Sequence, residues 1–168
     1  MLVREARAED LPQIVEIANA LLASTSIEWT DSPHTLADRR HWFDEHCHAG
    51  APVLVADSGS ELAGFSYYGD FRDSSKWPGY RFTVEHTIHV RQRHWSSGVG
   101  RLLLETLMQR AAAAGKHVMV GAIDADNLAS IEFHRRLGFV EVGRMPEIGW
   151  KLERWLSLVL MQRQLPAA

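Results

Sequence analysis

Apolar residues along this chain keep two rhythms, one of roughly 3.6 residues and one of two. Leu2 to Glu5 is short and predicts a first strand. Ile14, Ile17, Ala18, Leu21 and Leu22 then recur at helical spacing, behind Asp10 as a candidate cap and Pro12 in the first turn. A polar loop runs from Ser24 to Pro33, and Thr35 predicts the cap of a second helix reaching about His48, broken by Gly50-Ala51-Pro52. The rhythm next shortens. Val53 to Ala56 and Leu62 to Gly69 read as a hairpin around the tight turn Asp57 to Ser60. Asp70 to Tyr80, with Pro, Gly, Ser and several charges, reads as a loop, and Phe82 to Val90 as a strand.

Ser96-Ser97-Gly98-Val99-Gly100 opens a long helix whose buried stripe is Val99, Leu102, Leu103, Leu107 and Ala111, and Gly115 ends it. Val118 to Ile123 predicts a strand, Asn127 to Leu137 a helix closed by Gly138, and Phe139 to Gly143 and Trp155 to Met161 two further strands. This order predicts a mixed α/β (α+β) fold, with helices on the faces of a central, partly antiparallel sheet. There is no repeat, low-complexity tract or linker, so residues 1–168 read as one domain.

Composition narrows the function classes. The chain has 168 residues, 46% hydrophobic and 23% charged, which is ordinary globular composition and argues against disorder. A net charge of -3 gives no global electrostatic reason to bind nucleic acid or an anionic membrane. Cys47 is the one cysteine, so no intrachain disulfide can form, which suits a reducing compartment. The start MLVREARAED lacks an apolar signal core, and no apolar run approaches ~20 residues. The expectation is a soluble, cytoplasmic protein. His41, His46 and His48 follow no ligand spacing, and His86 and His89 would face opposite sides of a strand, so no metal site is expected.

A strand, a glycine-bearing loop and a helix in that order form an anion site, because the helix N-terminus offers unpaired N–H groups and glycine lets a phosphate approach the backbone. Gly98 and Gly100 stand where this requires them. No Lys-Ser or Lys-Thr follows as in a P-loop, and the third glycine of a dinucleotide fold is missing. Taken alone, Ser-Gly-Val-Gly reads equally well as a tight strand-to-helix turn.

Several further motifs, in order, cover nearly the whole chain. They are Arg4 to Asp10, Gly64-Phe65-Ser66-Tyr67-Tyr68-Gly69 with Phe71-Arg72, Thr83-Val84-Glu85-His86, and Gly98-Val99-Gly100. Ile123-Asp124, Asn127, Ser130-Ile131, His134, Leu137-Gly138-Phe139, Gly149, Lys151 and Arg154-Trp155 follow. With them the chain resembles the GNAT superfamily of N-acetyltransferases, in the branch of phosphinothricin and methionine sulfoximine N-acetyltransferases. The resemblance implies a twisted, splayed mixed sheet with acetyl-CoA in the split. It implies that the pantetheine arm pairs with the backbone of Ile88, His89 and Val90. It places the pyrophosphate on the loop of Arg93, Ser96, Ser97, Gly98, Val99, Gly100 and Arg101, with Asn127 and Ser130 on the cofactor from the following helix. It also implies a homodimer and a small-molecule amine as substrate. The pattern departs at Trp95, where the family often carries Gln or Arg, and at His89, where relatives often have tyrosine. Arg93 or Arg101 would supply the missing charge. His134 replaces the tyrosine of many members.

Acetyl transfer to an amine requires that the ammonium lose a proton, that donors meet the developing oxyanion, and that the thiolate leave. Glu85 is the candidate base, directly or through water; the other role for a carboxylate in an apolar-rich strand is a structural one. His134 is the candidate proton donor to the thiolate, or else a hydrogen-bonding anchor for the sulfur end of the cofactor. A backbone N–H near Ile88 to Val90 is the expected oxyanion donor. On the substrate side stand Glu28, Phe71, Arg72, Tyr80 and Arg81. Arg72 is suited to fork a carboxylate, unless it is only a solvated surface residue, and Glu28 either helps hold the amine or caps its loop. Trp150 to Leu160 suits either a shared surface or a buried last strand. Two alternatives remain at this level, a silent acyl-CoA-binding sensor and a peptide or protein N-acetyltransferase. The loop Asp70 to Tyr80 favours a small pocket over the peptide reading.

Overall fold

The computed structural model describes residues 1–167. Its strands are β1 (Leu2–Glu5), β2 (Val53–Asp57), β3 (Leu62–Asp70), β4 (Thr83–Val90), β5 (Val118–Asp124), β6 (Val140–Lys151) and β7 (Arg154–Gln164). The helices are α1 (Leu11–Ala20), α2 (Leu36–Ala49), α3 (Val99–Ala113) and α4 (Leu128–Arg136). The strands form one seven-stranded sheet in the order β1-β2-β3-β4-β5-β7-β6. β4 and β5 run parallel, while β1–β2, β2–β3, β5–β7 and β6–β7 are antiparallel. This is the mixed α/β class read from the element order.

The chain sorts into two compact units. The first comprises Met1–Ala20, Pro33–Gly69 and His86–Arg110. Its core sets Leu11, Ile14, Ile17 and Ala18 of α1 with Val53, Val55, Leu62 and Phe65 of the β2–β3 hairpin, flanked by Trp42, Phe43 and Tyr67. Each fully buried Leu, Ile, Val or Phe side chain among them is worth about 1.5–3 kcal/mol of transfer free energy. Thr35 caps α2 as expected: its hydroxyl accepts from Asp38 N at 3.1 Å, and Gly50 ends the helix at φ +65°. Asp10 differs. A 3-10 turn, Ala8–Asp10, precedes α1, and the buried Asp10 carboxylate accepts from Arg7 N at 2.7 Å and from the Arg4 guanidinium at 2.7 and 2.9 Å. It therefore ties β1 to the turn instead of capping the helix.

The second unit comprises Leu21–Ser32, Asp70–Glu85 and the chain from Ala111 onward. Its core is built from Met119, Val120 and Ile123 of β5, Ile131 of α4, Leu137 and Phe139 after it, and Leu156, Val159 and Met161 of β7. β6 and β7 extend beyond the sequence expectation. They pair from Val140↔Gln162 to Lys151↔Arg154, with irregularities between Glu141 and Gly143 and between Met145 and Gly149. The two residues that join them, Leu152 and Glu153, have φ of +53° and +57°, the left-handed pair that a tight hairpin turn needs.

Candidate active site

In the first unit, β4 leads through a 3-10 turn, Gln92–His94, into α3. Arg91 fixes the exit. Its backbone N–H donates to Ala63 O at 2.9 Å, its Nε to Leu62 O at 2.8 Å, and its guanidinium pairs with Glu16. The loop then needs two left-handed residues, Ser96 at φ +58° and Gly98 at φ +89°. The first backbone bond of α3 runs from Leu102 N to Gly98 O at 3.0 Å, so the amides of Val99, Gly100 and Arg101 precede the helical ladder. Among the described residues, none beyond Gly98 and its two chain neighbours comes within 4 Å of the point where a Cβ of Gly98 would stand. Backbone donors, a helix dipole and open space at a glycine fit a pyrophosphate. Arg93 pairs with Glu61, which also takes His94, while Arg101 lies on Glu105 at 2.9 Å. Both pairs are exposed, and such bridges are worth little, so either arginine can turn to a phosphate at small cost. Trp95, where the family pattern breaks, gives its indole N–H to Val90 O at 2.8 Å. The His89 ring is buried and stacked on Phe65 with centroids 5.1 Å apart, so His89 offers a ligand its backbone only. Gly64 permits this packing, since a Cβ there would stand 2.5 Å from His89 O.

In the second unit, β4 and β5 pair over Thr83↔Val118, Val84↔Met119 and Glu85↔Val120, so Glu85 is the last β4 residue of that ladder. It is half-buried, and that burial pushes its carboxyl above the usual range. Asn127 is the N-cap of α4: its side-chain oxygen accepts from Ser130 N at 3.0 Å, which leaves the amide NH2 as its donor to a ligand. One turn on, His134 is buried between Phe133 and Phe139, both edge-on, and its Nδ1 donates to Ser130 O at 2.7 Å. Burial lowers the imidazole below its ordinary value, against the opposing pull of that bond.

The loop after β3 brings three of the substrate candidates together. Phe71 and Tyr80 lie with ring centroids 6.1 Å apart, and the Arg72 guanidinium sits 5.6 Å over the Tyr80 ring. Arg72 and Tyr80 are exposed. Arg81 turns away, donating to Pro78 O at 2.8 Å and lying over Phe82. Glu28 lies in the segment between α1 and α2, which a buried residue outside the sequence-derived set holds in place: the Lys151 ammonium donates to Leu22 O, Thr25 O and Glu28 O at 2.7, 2.8 and 2.6 Å. In the sequence Lys151 stands among the motif residues that carry the family resemblance, between Trp150 and Leu152, without a site role of its own. Among the described residues no group of three or more His, Cys, Asp or Glu side chains is gathered to hold a metal ion.

The acetyltransferase (GNAT) family model matches residues 14–139. The chain belongs to the GNAT acetyltransferase family. It is 45% identical over 164 residues to the L-methionine sulfoximine/L-methionine sulfone acetyltransferase of Pseudomonas aeruginosa, covering 97% of this chain and 94% of that one. It is 41% identical to an L-amino acid N-acyltransferase of Escherichia coli, over 98% and 94% of the two chains. A phosphinothricin acetyltransferase of Sinorhizobium meliloti, solved in complex with acetyl-CoA, superposes with a TM-score of 0.92 at 33% identity, over 98% of this chain and 88% of that one. As a GNAT member, the protein is an acetyl-CoA-dependent N-acetyltransferase.

Proposed function

We propose that this acetyltransferase acetylates the free α-amine of an amino-acid-like substrate, of the kind represented by methionine sulfoximine and phosphinothricin, with Glu85 as general base. The observation that carries the reading is the half-buried Glu85 at the end of the β4–β5 ladder. Its proton affinity is raised in the direction a base for an ammonium needs. The substrates named for the Pseudomonas and Sinorhizobium relatives supply the acceptor class.

Acetyl-CoA brings the thioester that the amine attacks. The chain's part is to bind, orient and move protons. Val99, Gly100 and Arg101 offer backbone N–H groups to the pyrophosphate, joined by Ser96, Ser97 and the side chain of Arg93 or Arg101. Ile88, His89 and Val90 offer backbone groups to the pantetheine arm, and Asn127 and Ser130 assist from the start of α4. Glu85 takes the ammonium proton, directly or through water. Arg72 receives the substrate carboxylate, Phe71 and Tyr80 wall its side chain, and Glu28 helps hold the amine, with Arg81 nearby in sequence. His134 is assigned the holding role. Its Nδ1–H is committed to Ser130 O and burial lowers the ring's proton affinity, both of which favour holding over proton donation.

The proposed enzyme works as one domain, 1–168, since no repeat, low-complexity tract or linker interrupts the sequence. It is proposed to be cytoplasmic, consistent with the exposed unpaired thiol of Cys47. A second copy is proposed to cover the exposed Trp150–Trp155 pair, whose rings meet edge-on at 5.2 Å, and the exposed Val142, Met145 and Ile148 of the same strand β6. Sedimentation of a dimer, turned monomeric by Trp155→Glu, is the expected result. The function itself is tested with a panel of amines and acetyl-CoA, following free thiol. Amino acids with a tetrahedral sulfur or phosphorus centre should lead the panel. Preference for peptides would make the protein a peptide acetyltransferase, and tight acetyl-CoA binding without turnover of any amine would make it a sensor.

A further inference from the structure

The segment Leu21–Ser32 has no helix or strand of its own, yet it is fastened at three points within the second unit. Lys151, the last residue of β6, is only 2% exposed and spends all three ammonium protons on the carbonyls of Leu22, Thr25 and Glu28, spaced every third residue. The Ser26 hydroxyl donates to the buried Asp124 carboxylate, which also accepts from Asp126 N at 3.1 Å and faces Arg154 at 3.5 Å. Trp29 lies so close over Gly149 that any Cβ there would collide with its ring, and its indole N–H donates to Ser26 O at 3.1 Å. A buried ammonium is costly to desolvate, and three convergent carbonyls offset that cost only in one backbone conformation. The cation therefore selects the path of Leu22–Trp29, a stretch with too little core of its own to do so.

We propose that Lys151 is a positioning residue of the acceptor-amine site: its ammonium sets the conformation of Leu22–Trp29 and so holds Glu28 for the incoming amine. The proposal rests on the substrate-side role given to Glu28 above. Lys151 touches neither reactant. It acts through the loop backbone, so it governs amine binding and leaves the cofactor cradle of Arg93 to Arg101 unaffected.

The test compares the parent with Lys151→Met, which keeps the apolar stem and removes the donors. The expected result is a rise of about tenfold or more in KM for the amine, from the loss of charge-assisted bonds, with KM for acetyl-CoA within about twofold and kcat at saturating amine largely kept. A glutamate-specific protease should cut after Glu28 in the variant and spare the parent, a readout that needs no substrate. Ser26→Ala should shift amine KM and protease sensitivity the same way, less strongly. Unchanged amine KM in folded Lys151→Met overturns the proposal, as does a fall in apparent kcat that only tracks lost folded protein with both KM values unchanged. Should Lys151→Met fail to fold, unchanged amine KM and protease resistance in Ser26→Ala overturn it. If the parent acetylates no amine in the panel, the substrate reading fails, while the protease result still decides whether Lys151 sets the loop.

Discussion

A carboxylate that must deprotonate an ammonium works better as its own proton affinity approaches that of its partner. Burial gives Glu85 that shift, with no cationic partner among its causes. Replacing it with glutamine should cost about 100- to 10,000-fold in kcat at neutral pH. The deficit should shrink as pH rises, because an α-amine with a pKa near ~8 then arrives neutral. Stability should move the other way. A carboxyl whose folded-state pKa is raised favours the native state below its unfolded value, and that advantage is lost as pH rises through the folded one. Above that folded-state value the ionised Glu85 is thus a liability, so Glu85→Gln should raise Tm there, by roughly 2–4 °C for each ~1 kcal/mol relieved in a domain of this size. A folded Glu85→Gln enzyme with the parent's rate would remove Glu85 from the chemistry. Arg72 separates recognition from catalysis. Lying exposed over Tyr80, it can fork a carboxylate without giving up a partner carboxylate. Arg72→Ala should raise KM for amino acids by about ten- to a hundredfold, the worth of one charge-assisted bond at about 1.5–3 kcal/mol. It should leave KM for acetyl-CoA, and for amines lacking a carboxylate, near the parent values. Equal KM for amino acids in parent and variant would make Arg72 a surface residue.

At the scale of elements, the loop into α3 is where conformation and ligand meet. Gly98 holds φ +89° with open space on its Cβ side, so a side chain there would strain the backbone and enter the volume offered to a phosphate. Gly98→Val should raise KM for acetyl-CoA at least about tenfold while circular dichroism stays native. The left-handed strain of roughly 1–2 kcal/mol should lower Tm by only several degrees. A variant with unchanged acetyl-CoA KM would mean that the pyrophosphate lies elsewhere. Gly98 and Gly100 were legible because a strand, glycines and a helix leave a periodic signature. So were the capped start of α2 at Thr35 and the β2–β3 hairpin, whose Asp57 carboxylate accepts from Gly59 N at 2.7 Å. The long β6–β7 hairpin was not. Pro146, Gly149 and the exposed Glu147 between them break the alternation after Gly143, and the turn uses Leu152 and Glu153 at positive φ where Asn-Gly would have announced it. Missing that hairpin left Lys151 a motif residue without a role, since a lysine gains meaning only when its neighbours across 120 or more residues of chain are known to be Leu22, Thr25 and Glu28. Asp10 misled for the opposite reason. Its type and place suit a cap, but the Arg4 guanidinium offers it a stronger partner.

For the molecule as a whole, the decisive quantity is how far acetyl-CoA stabilises the native state. The residues assigned to it span the chain from Ile88 to Ser130, and the proposed contacts are backbone amides, a few hydroxyls, an amide and one arginine. Each is weak singly, and they exist together only in the folded protein, so binding should favour the native state by mass action. At ~100 times its dissociation constant the cofactor should add ~2.7 kcal/mol, a Tm rise of roughly 5–10 °C for a domain of this size. The rise should survive a chelator, because no proposed contact needs a cation to bridge it, and should grow with the logarithm of acetyl-CoA concentration. It should shrink at high salt, since the pyrophosphate is held partly by charge. Coenzyme A, with the same phosphates and no acetyl group, should retain most of it, while free acetate should give none. The amine adds a second discrimination. With a non-reactive acetyl-CoA analogue bound, the preferred amino acid should raise Tm further in the parent and in Glu85→Gln, and not in Arg72→Ala. A saturating cofactor that left Tm unmoved would sink the cradle, and with it the assignment of residues 93–101. A shift abolished by the chelator alone would keep the cofactor but place a metal ion between it and the loop.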